Sequence, residues 1–277
     1  MGKLFEKMYI GNPNKKDLTR KDIAKQSGVS LFFTVLRVRG LNLLWLNLLY
    51  SLFLLPTYIV IFLALYQYGT SMGTENAMTF ADVVWYMYLL LPCMLIASPG
   101  KIGFTNVLHR WASDEHSWFS DFWTGIKNNW KQGLIVTLIN YVVLFLLIYY
   151  AYFYWSKLSN GAVEGLMSYI FVFGFYMLIG CIFVYFMIHL YVFPMMVRYK
   201  LKIKEIYKYS FILAFRNILG SVASVIFLAA VLVCSIFVIP YMMYAIPVIL
   251  IVIAYLAVYV HMGKVFGKYV FLETKGY

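Results

Sequence analysis

Charge of any kind is scarce in this sequence. Asp and Glu together number 11 in 277 residues, and the four charged types make up 12%. A soluble domain carries about 25% charged residues. A chain with so little charge and 63% hydrophobic residues cannot hide its apolar surface in a water-soluble core, so the bilayer is its main solvent. The same scarcity argues against ion or proton coupling, because coupled transporters keep ionisable groups within the membrane. Asp82 falls at the start of one apolar run, and His189 and His261 fall near the ends of two others. Each reads as an edge residue rather than a relay. Cysteine is also rare: Cys93, Cys181 and Cys234 lie in apolar stretches without metal-ligand spacing and read as small buried hydrophobes. Phosphate-binding glycine loops, nucleophile elbows and zinc helix motifs are missing. That leaves no candidate catalytic residue, no cofactor or metal site and no ATPase, so the chain reads as a non-enzyme. The first 40 residues lack the apolar core and cleavage site of a signal peptide.

What is present is a series of continuous apolar runs, roughly 43–67, 80–98, 133–156, 166–190, 218–239 and 242–263. A helix needs ~20 apolar residues to cross ~30 Å of hydrocarbon. The runs are unbroken rather than alternating, which argues against a β-barrel. The expected fold is therefore all-α: a polytopic transmembrane helical bundle of about six spans over 41–266. A basic segment, 1–40, precedes it and a short tail, 267–277, follows. The last two runs are separated by "VIPYM", so Pro240 marks a tight outer turn. Of the 23 Lys and Arg, all but Lys157 fall in segments that alternate to one side of such a bundle. Positive residues stay inside, so both termini are expected in the cytoplasm. The net charge of +12 sits at the ends of spans and points to an anionic inner leaflet rather than to nucleic acid.

Two stretches look alike. Pro99 follows the second run and Pro194 the end of the fourth, and each is expected to break its span near the cytoplasmic face. A basic segment follows each, then "FWTGIKNNWKQG" (122–133) or "FILAFRNILGS" (211–221), with Lys127-Asn128 and Arg216-Asn217 in matching places. The pattern suggests one unit repeated in parallel: span, proline break, amphipathic surface helix on the cytoplasmic side, span.

The stretch "HRWASDEHSWFSDFW" (109–123) holds three of the chain's acids, Asp114, Glu115 and Asp121. Read as a helix over 118–131, it places Trp118, Phe119, Phe122, Trp123, Ile126 and Trp130 on one face. Such a helix would lie flat in the interface, capped by Asp114 or Ser117, with Arg110 paired to Asp114. His109, Asp114, His116 and Asp121 do not have the spacing of a zinc site. The candidates for a surface that a cytoplasmic partner grips are Arg110, Trp111, Asp114, Glu115, His116, Trp118, Asp121, Trp123, Lys127, Phe193, Pro194, Arg198, Lys204 and Arg216. Polar residues that could line a path through the bundle are Asn42, Asn47 and Asn140; hydrogen bonding between helices is the plainer reading for them.

The segments "LRVRGLNLLWLNLLYSLFLLP" (36–56), "RWASDEHSWFSDFW" with "NNWKQ" (110–132) and "YVFPMMVRYKLKIKEIYKYSFILA" (191–214) carry a resemblance. The chain resembles the YesL-like family, bacterial multi-span membrane proteins without an established biochemical function. The resemblance implies a plasma-membrane protein whose genes often sit beside carbohydrate-uptake ABC systems. It brings no catalytic residues. The expectation is an accessory or regulatory protein bound to ABC permease and ATPase subunits. The alternatives are a facilitator for a small neutral solute and an assembly factor or lipid-binding scaffold.

Overall fold

A computed structural model describes residues 28–71, 79–112, 119–159, 161, 164–238 and 245–269. Seven helices account for nearly all of them: α1 Gly28–Ser71, α2 Phe80–Ala112, α3 Phe119–Ser159, α4 Leu166–Arg198, α5 Ile203–Arg216, α6 Ile218–Val238 and α7 Ala245–Tyr269. No strand occurs among the described residues. Four helices, α1 to α4, are long and apolar enough to cross a membrane. A fifth crossing is added if α5 and α6, bent by 97° at their junction, are taken together. The molecule is thus compatible with a multi-pass membrane protein. The expected turn at Pro240 lies outside the described residues.

Several helices are longer than a bilayer requires. At ~1.5 Å per residue, α2 reaches ~50 Å and α3 ~60 Å, against ~30 Å of hydrocarbon. This corrects two expectations. Pro99 and Pro194 do not break their spans; both lie inside continuous helices. Neighbouring helices and local adjustments satisfy the carbonyl that a membrane-helix proline frees. Nor is 118–131 a separate flat helix, because α3 runs unbroken from Phe119 into its apolar part. The one separate amphipathic helix among the described residues is α5. Its first turn is held by Glu205, whose carboxylate accepts from the Lys202 backbone N–H at 2.7 Å. In the same way the Asp82 carboxylate accepts from the Thr79 N–H at 2.8 Å and serves as a cap for α2. Gly165, at φ 64°, supplies the left-handed residue just before α4. α1 bends at Arg39.

Side-chain pairings fix the helix directions. Gln67–Tyr86, Tyr50–Phe104 and Arg39–Trp111 run α1 against α2. Ser98–Thr137 and Arg110–Asp121 run α3 against α2. Asn140–Tyr185 and Tyr154–Phe171 run α4 against α3. Lys101–His189 and His109–Arg198 make α2 and α4 parallel, and Phe104–Tyr255 and His109–Phe266 add α7 in the same direction. α1 also packs on α7 and closes the bundle. One end therefore gathers the start of α1, the ends of α2, α4 and α7, the start of α3, and α5. Nearly every described Lys and Arg is at that end, and Lys157 is at the other.

The core lies at the basic end. One cluster joins Ile102, Val136, Tyr191, Phe193, Met195, Ile206, Leu213 and Phe266. A second joins Leu43, Leu46, Tyr50, Phe104, Leu108, Trp111, Phe122 and Leu256. In the four long helices, by contrast, only 6–11% of the most apolar window is buried within the chain. Such exposure of apolar windows is compatible with an apolar surrounding, in which it costs nothing. That also corrects the reading of the cysteines: Cys181 and Cys234 are on outward faces and Cys93 is half-buried.

The α2–α3 seam is a close approach of two helices. The inward face of α3 is Phe122, Gly125, Asn129, Gly133, Val136 and Asn140. A Cβ at Gly125 would come within 2.8 Å of Asn106, and one at Gly133 would overlap the Ile102 side chain. Small residues let helix backbones approach, and van der Waals contact then binds them in lipid. Gly133→Ala is expected to lower stability by about 1–3 kcal/mol through overpacking. Gly180→Ala, at a position with open space around it, is expected to be neutral or slightly stabilising. Thermal unfolding in mild detergent measures both, and equal midpoints for the two variants would contradict the close seam.

Candidate functional site

The α2–α3 corner is built from polar residues on both sides of the seam. Arg110 Nη1 donates to Asp121 Oδ1 at 2.8 Å, with side-chain exposures of 17% and 20%. Asp121 sits in the first turn of α3, where a carboxylate also meets the positive helix end. Asn106 Nδ2 donates to the Asp121 carbonyl at 2.8 Å. Beneath this pair Trp111 is 3% exposed, and the Arg39 guanidinium lies 5.6 Å from its ring centre. The sequence reading gave Arg110 to Asp114. The described geometry gives it to Asp121, one turn into the next helix, while Asp114 lies outside the described residues.

The aromatic residues of this corner do not share one face. Phe122 is fully buried, whereas Trp123 and Trp130 are 42% and 47% exposed. Between Phe122 and Val136 the inward positions are Gly125, Asn129 and Gly133, small or polar residues that a search for an apolar stripe overlooks. Trp123, Lys127, Trp130 and Lys131 instead form an outward strip on α3, suited to a headgroup layer or a partner.

On the α4 side, Phe193 and Pro194 are buried in the core, beyond the reach of a docking protein. Arg198 turns inward. Its Nη1 donates to His109 Nε2 at 2.9 Å, and its guanidinium lies 5.5 Å from the Tyr199 ring and 5.9 Å from that of Phe266. A guanidinium only donates, so His109 accepts through Nε2 and is neutral. Burial raises the Tyr199 phenol above its usual pKa, and nearby Arg198 partly offsets this. A second cation–imidazole pair, Lys101 Nζ with His189 Nε2 at 2.7 Å, lies further along the same two helices. The Lys101 ammonium also sits 4.2 Å from the Phe193 ring centre. Sequence reading missed both pairs. Their trace was the reciprocal spacing, Lys101 and His109 on one helix against His189 and Arg198 on its parallel neighbour.

α5 exposes Lys204, Lys208 and Arg216 together with Phe211, Ile212 and Phe215, and buries Ile206, Ser210, Leu213 and Ala214. Phe211 and Phe215 pack together at 4.6 Å. The junction with α6 is pinned by Asn217, whose Nδ2 lies 2.9 Å from His261 Nε2 and 3.4 Å from the Tyr191 hydroxyl. Glu115, His116 and Trp118 lie outside the described residues. Asn42 is exposed, Asn47 is buried on α1 beside Leu43, Leu46 and Tyr50, and Asn140 is buried on α3 against Tyr207. The three asparagines are not brought together. No cluster of three or more His, Cys, Asp or Glu side chains able to hold a metal occurs among the described residues.

Comparison with family models, with curated proteins and with solved structures finds no match to this chain.

The Arg110–Asp121 bridge should be worth more than a surface pair, since it is mostly buried and hydrogen-bonded. A double-mutant cycle with Arg110→Met and Asp121→Asn is expected to give a coupling of about 1–2 kcal/mol. A coupling near zero would mean that the corner is held by packing alone.

Proposed function

We propose that the chain is a multi-pass protein of the bacterial plasma membrane, with both termini cytoplasmic, that works by presenting a fixed basic surface and performs no chemistry of its own. The reading counts six crossings. α6 and α7, with 21 and 25 residues, are each long enough to be one. The shared direction of α2 and α4, with a proline near the polar end of each, fits a unit repeated in parallel.

The observation that carries this reading is where order is concentrated. The chain's packing and nearly all its described cations are at one end, while the opposite halves of α1 to α4 are left to an apolar surrounding. An end built so firmly, and displaying Trp123, Lys127, Lys204 and Arg216 outward, suits a docking surface. The class of partner comes from the YesL-like resemblance: permease and ATPase subunits of a carbohydrate ABC importer, with this chain as accessory or regulatory subunit. A lipid-binding scaffold is the second reading, and it draws on the Lys- and Phe-bearing outer face of α5. A solute path draws no support from the placement of the asparagines.

Cross-linking in native membranes, gentle-detergent purification and identification of co-purifying proteins test the accessory reading. Stoichiometric permease and ATPase subunits are expected, and they should be lost when Lys127, Lys204 and Arg216 are reversed to Glu together. Recovery of the wild-type protein alone would sink the accessory reading and leave the scaffold.

A further inference from the structure

The depth of α5 can be read from its contacts. Phe80 opens α2, with Asp82 in the same turn, and its ring packs on Tyr149 and Tyr152 of α3 at 5.1 and 4.7 Å. Trp130 and Lys131, both exposed, lie 18 to 22 residues back along α3 from those tyrosines. That is ~27–33 Å at ~1.5 Å per residue, one hydrocarbon thickness. Acids, tryptophans and lysines at the two ends of such a stretch are the groups that stop at headgroup layers. The inner boundary therefore falls near Gln132 and Gly133. α5 lies along it. Just before its start the Leu201 carbonyl accepts from Gln132 Nε2 at 2.7 Å. In its middle the Tyr207 hydroxyl donates to Asn140 Oδ1 at 3.0 Å. Just past its end Ser221 Oγ lies 2.9 Å from the Tyr191 hydroxyl. Tyr191 is two residues beyond His189, which pairs with Lys101, and the neighbouring Ile102 lies against Gly133. Both ends of α5 thus sit at the level of residues 132–133. The 97° bend into α6 is the turn a flat helix makes where a crossing begins.

The outer face of α5 is divided along its length. Lys204 and Lys208 hold the first half, and Phe211, Ile212 and Phe215 hold the second. Ile218 and Leu219, 47% and 84% exposed, carry the apolar half on into α6. From Lys200 to Arg216 there are five cations and one acid, Glu205, and the Glu205 carboxylate already accepts from the Lys202 N–H. A zwitterionic lipid matches the apolar half and leaves the lysines without a counter-charge. An anionic phospholipid matches both: acyl chains meet the rings, and lysine stems carry their ammonium groups up to the phosphates.

We propose that α5 is an inner-leaflet anchor that binds anionic phospholipid, with Lys204 and Lys208 on the headgroups and Phe211, Ile212 and Phe215 in the acyl boundary. It ties the packed end of the bundle to the membrane surface. A cytoplasmic partner then meets the bundle beyond α5, where Trp123 and Lys127 are exposed. The inference rests on the membrane reading above, deepens its lipid-binding alternative and needs no protein partner.

The test reconstitutes the whole chain in vesicles of phosphatidylcholine and phosphatidylglycerol. In a chain freed of its cysteines, a nitroxide is placed in turn at Phe215→Cys, at Val142→Cys in the apolar part of α3 and at Lys127→Cys. Collisions with oxygen and with a water-soluble nickel reagent then report depth. Val142 is expected deep, Lys127 in water and Phe215 between them, just below the headgroups. In a second arm the protein is extracted gently and its retained lipid is read by native mass spectrometry. Neutralising Lys204 and Lys208 together to Gln is expected to lower retention of phosphatidylglycerol over phosphatidylcholine, by about fivefold for each lysine. The paired Arg variant keeps the charge and should match wild type. A Phe215 label in water, or as deep as Val142, overturns the anchor while a deep Val142 leaves the membrane reading standing. A Phe215 label shielded from both reagents would mean that a second copy covers the face, and it overturns the anchor too. So does a Gln pair that retains phosphatidylglycerol as wild type does. Only a water-exposed Val142 label removes the membrane reading, and this inference falls with it.

Discussion

Hydrocarbon cannot solvate a charge, and it gives two leucines no reason to leave it for each other. Where this chain is surrounded by lipid, apolar burial therefore brings no net gain. The outer halves of the long helices accordingly touch through aromatic side chains such as Phe80–Tyr152 and Tyr154–Phe171 and otherwise face outward. Folding energy has to come from elsewhere. In a bilayer it would come from close van der Waals contact across glycines, as at the α2–α3 seam, and from the basic end, since helices of this length outrun one hydrocarbon thickness and a water-driven core is possible beyond it. Nearly all of both buried clusters lies there.

The same constraint explains how the cations are held. A chain with 23 basic and 11 acidic side chains cannot neutralise every cation that its core encloses. Arg110 has Asp121. Arg198 and Lys101 are stabilised instead by neutral imidazoles and by aromatic faces, Tyr199 and Phe266 for one and Phe193 for the other. The result is a rigid end with surplus positive charge, part turned outward on α3 and α5 and part held within. The proposed docking surface draws on that surplus, and its framework includes the Arg110–Asp121 corner and the Asn217 junction.

The apolar runs made the helical, membrane-compatible architecture legible, because a chain with 12% charge has long stretches with nothing to interrupt an apolar helix. The gathering of basic residues at one end was legible too, from their spacing between runs. The ends of the helices were not. Pro99 and Pro194 read as breaks by the rule for helices in water, yet each lies inside a continuous helix, Pro194 buried and Pro99 half-buried. The face of α3 was misread because tryptophan drew attention, while the buried positions are Gly125, Asn129 and Gly133, residues whose value is closeness rather than hydrophobicity. The cation–imidazole pairs joined residues some 90 positions apart, and nothing local could have paired them.

The proposed docking role requires the basic, packed end to face the cytoplasm. In a chain with its three cysteines replaced, single cysteines at Ser159, the last residue of α3, and at Lys131, in its basic part, lie ~42 Å apart along one helix. A membrane-impermeant maleimide applied to intact cells should label the first and spare the second until the membrane is opened. Labelling of Lys131→Cys from outside intact cells would contradict the orientation, and with it the proposed docking surface.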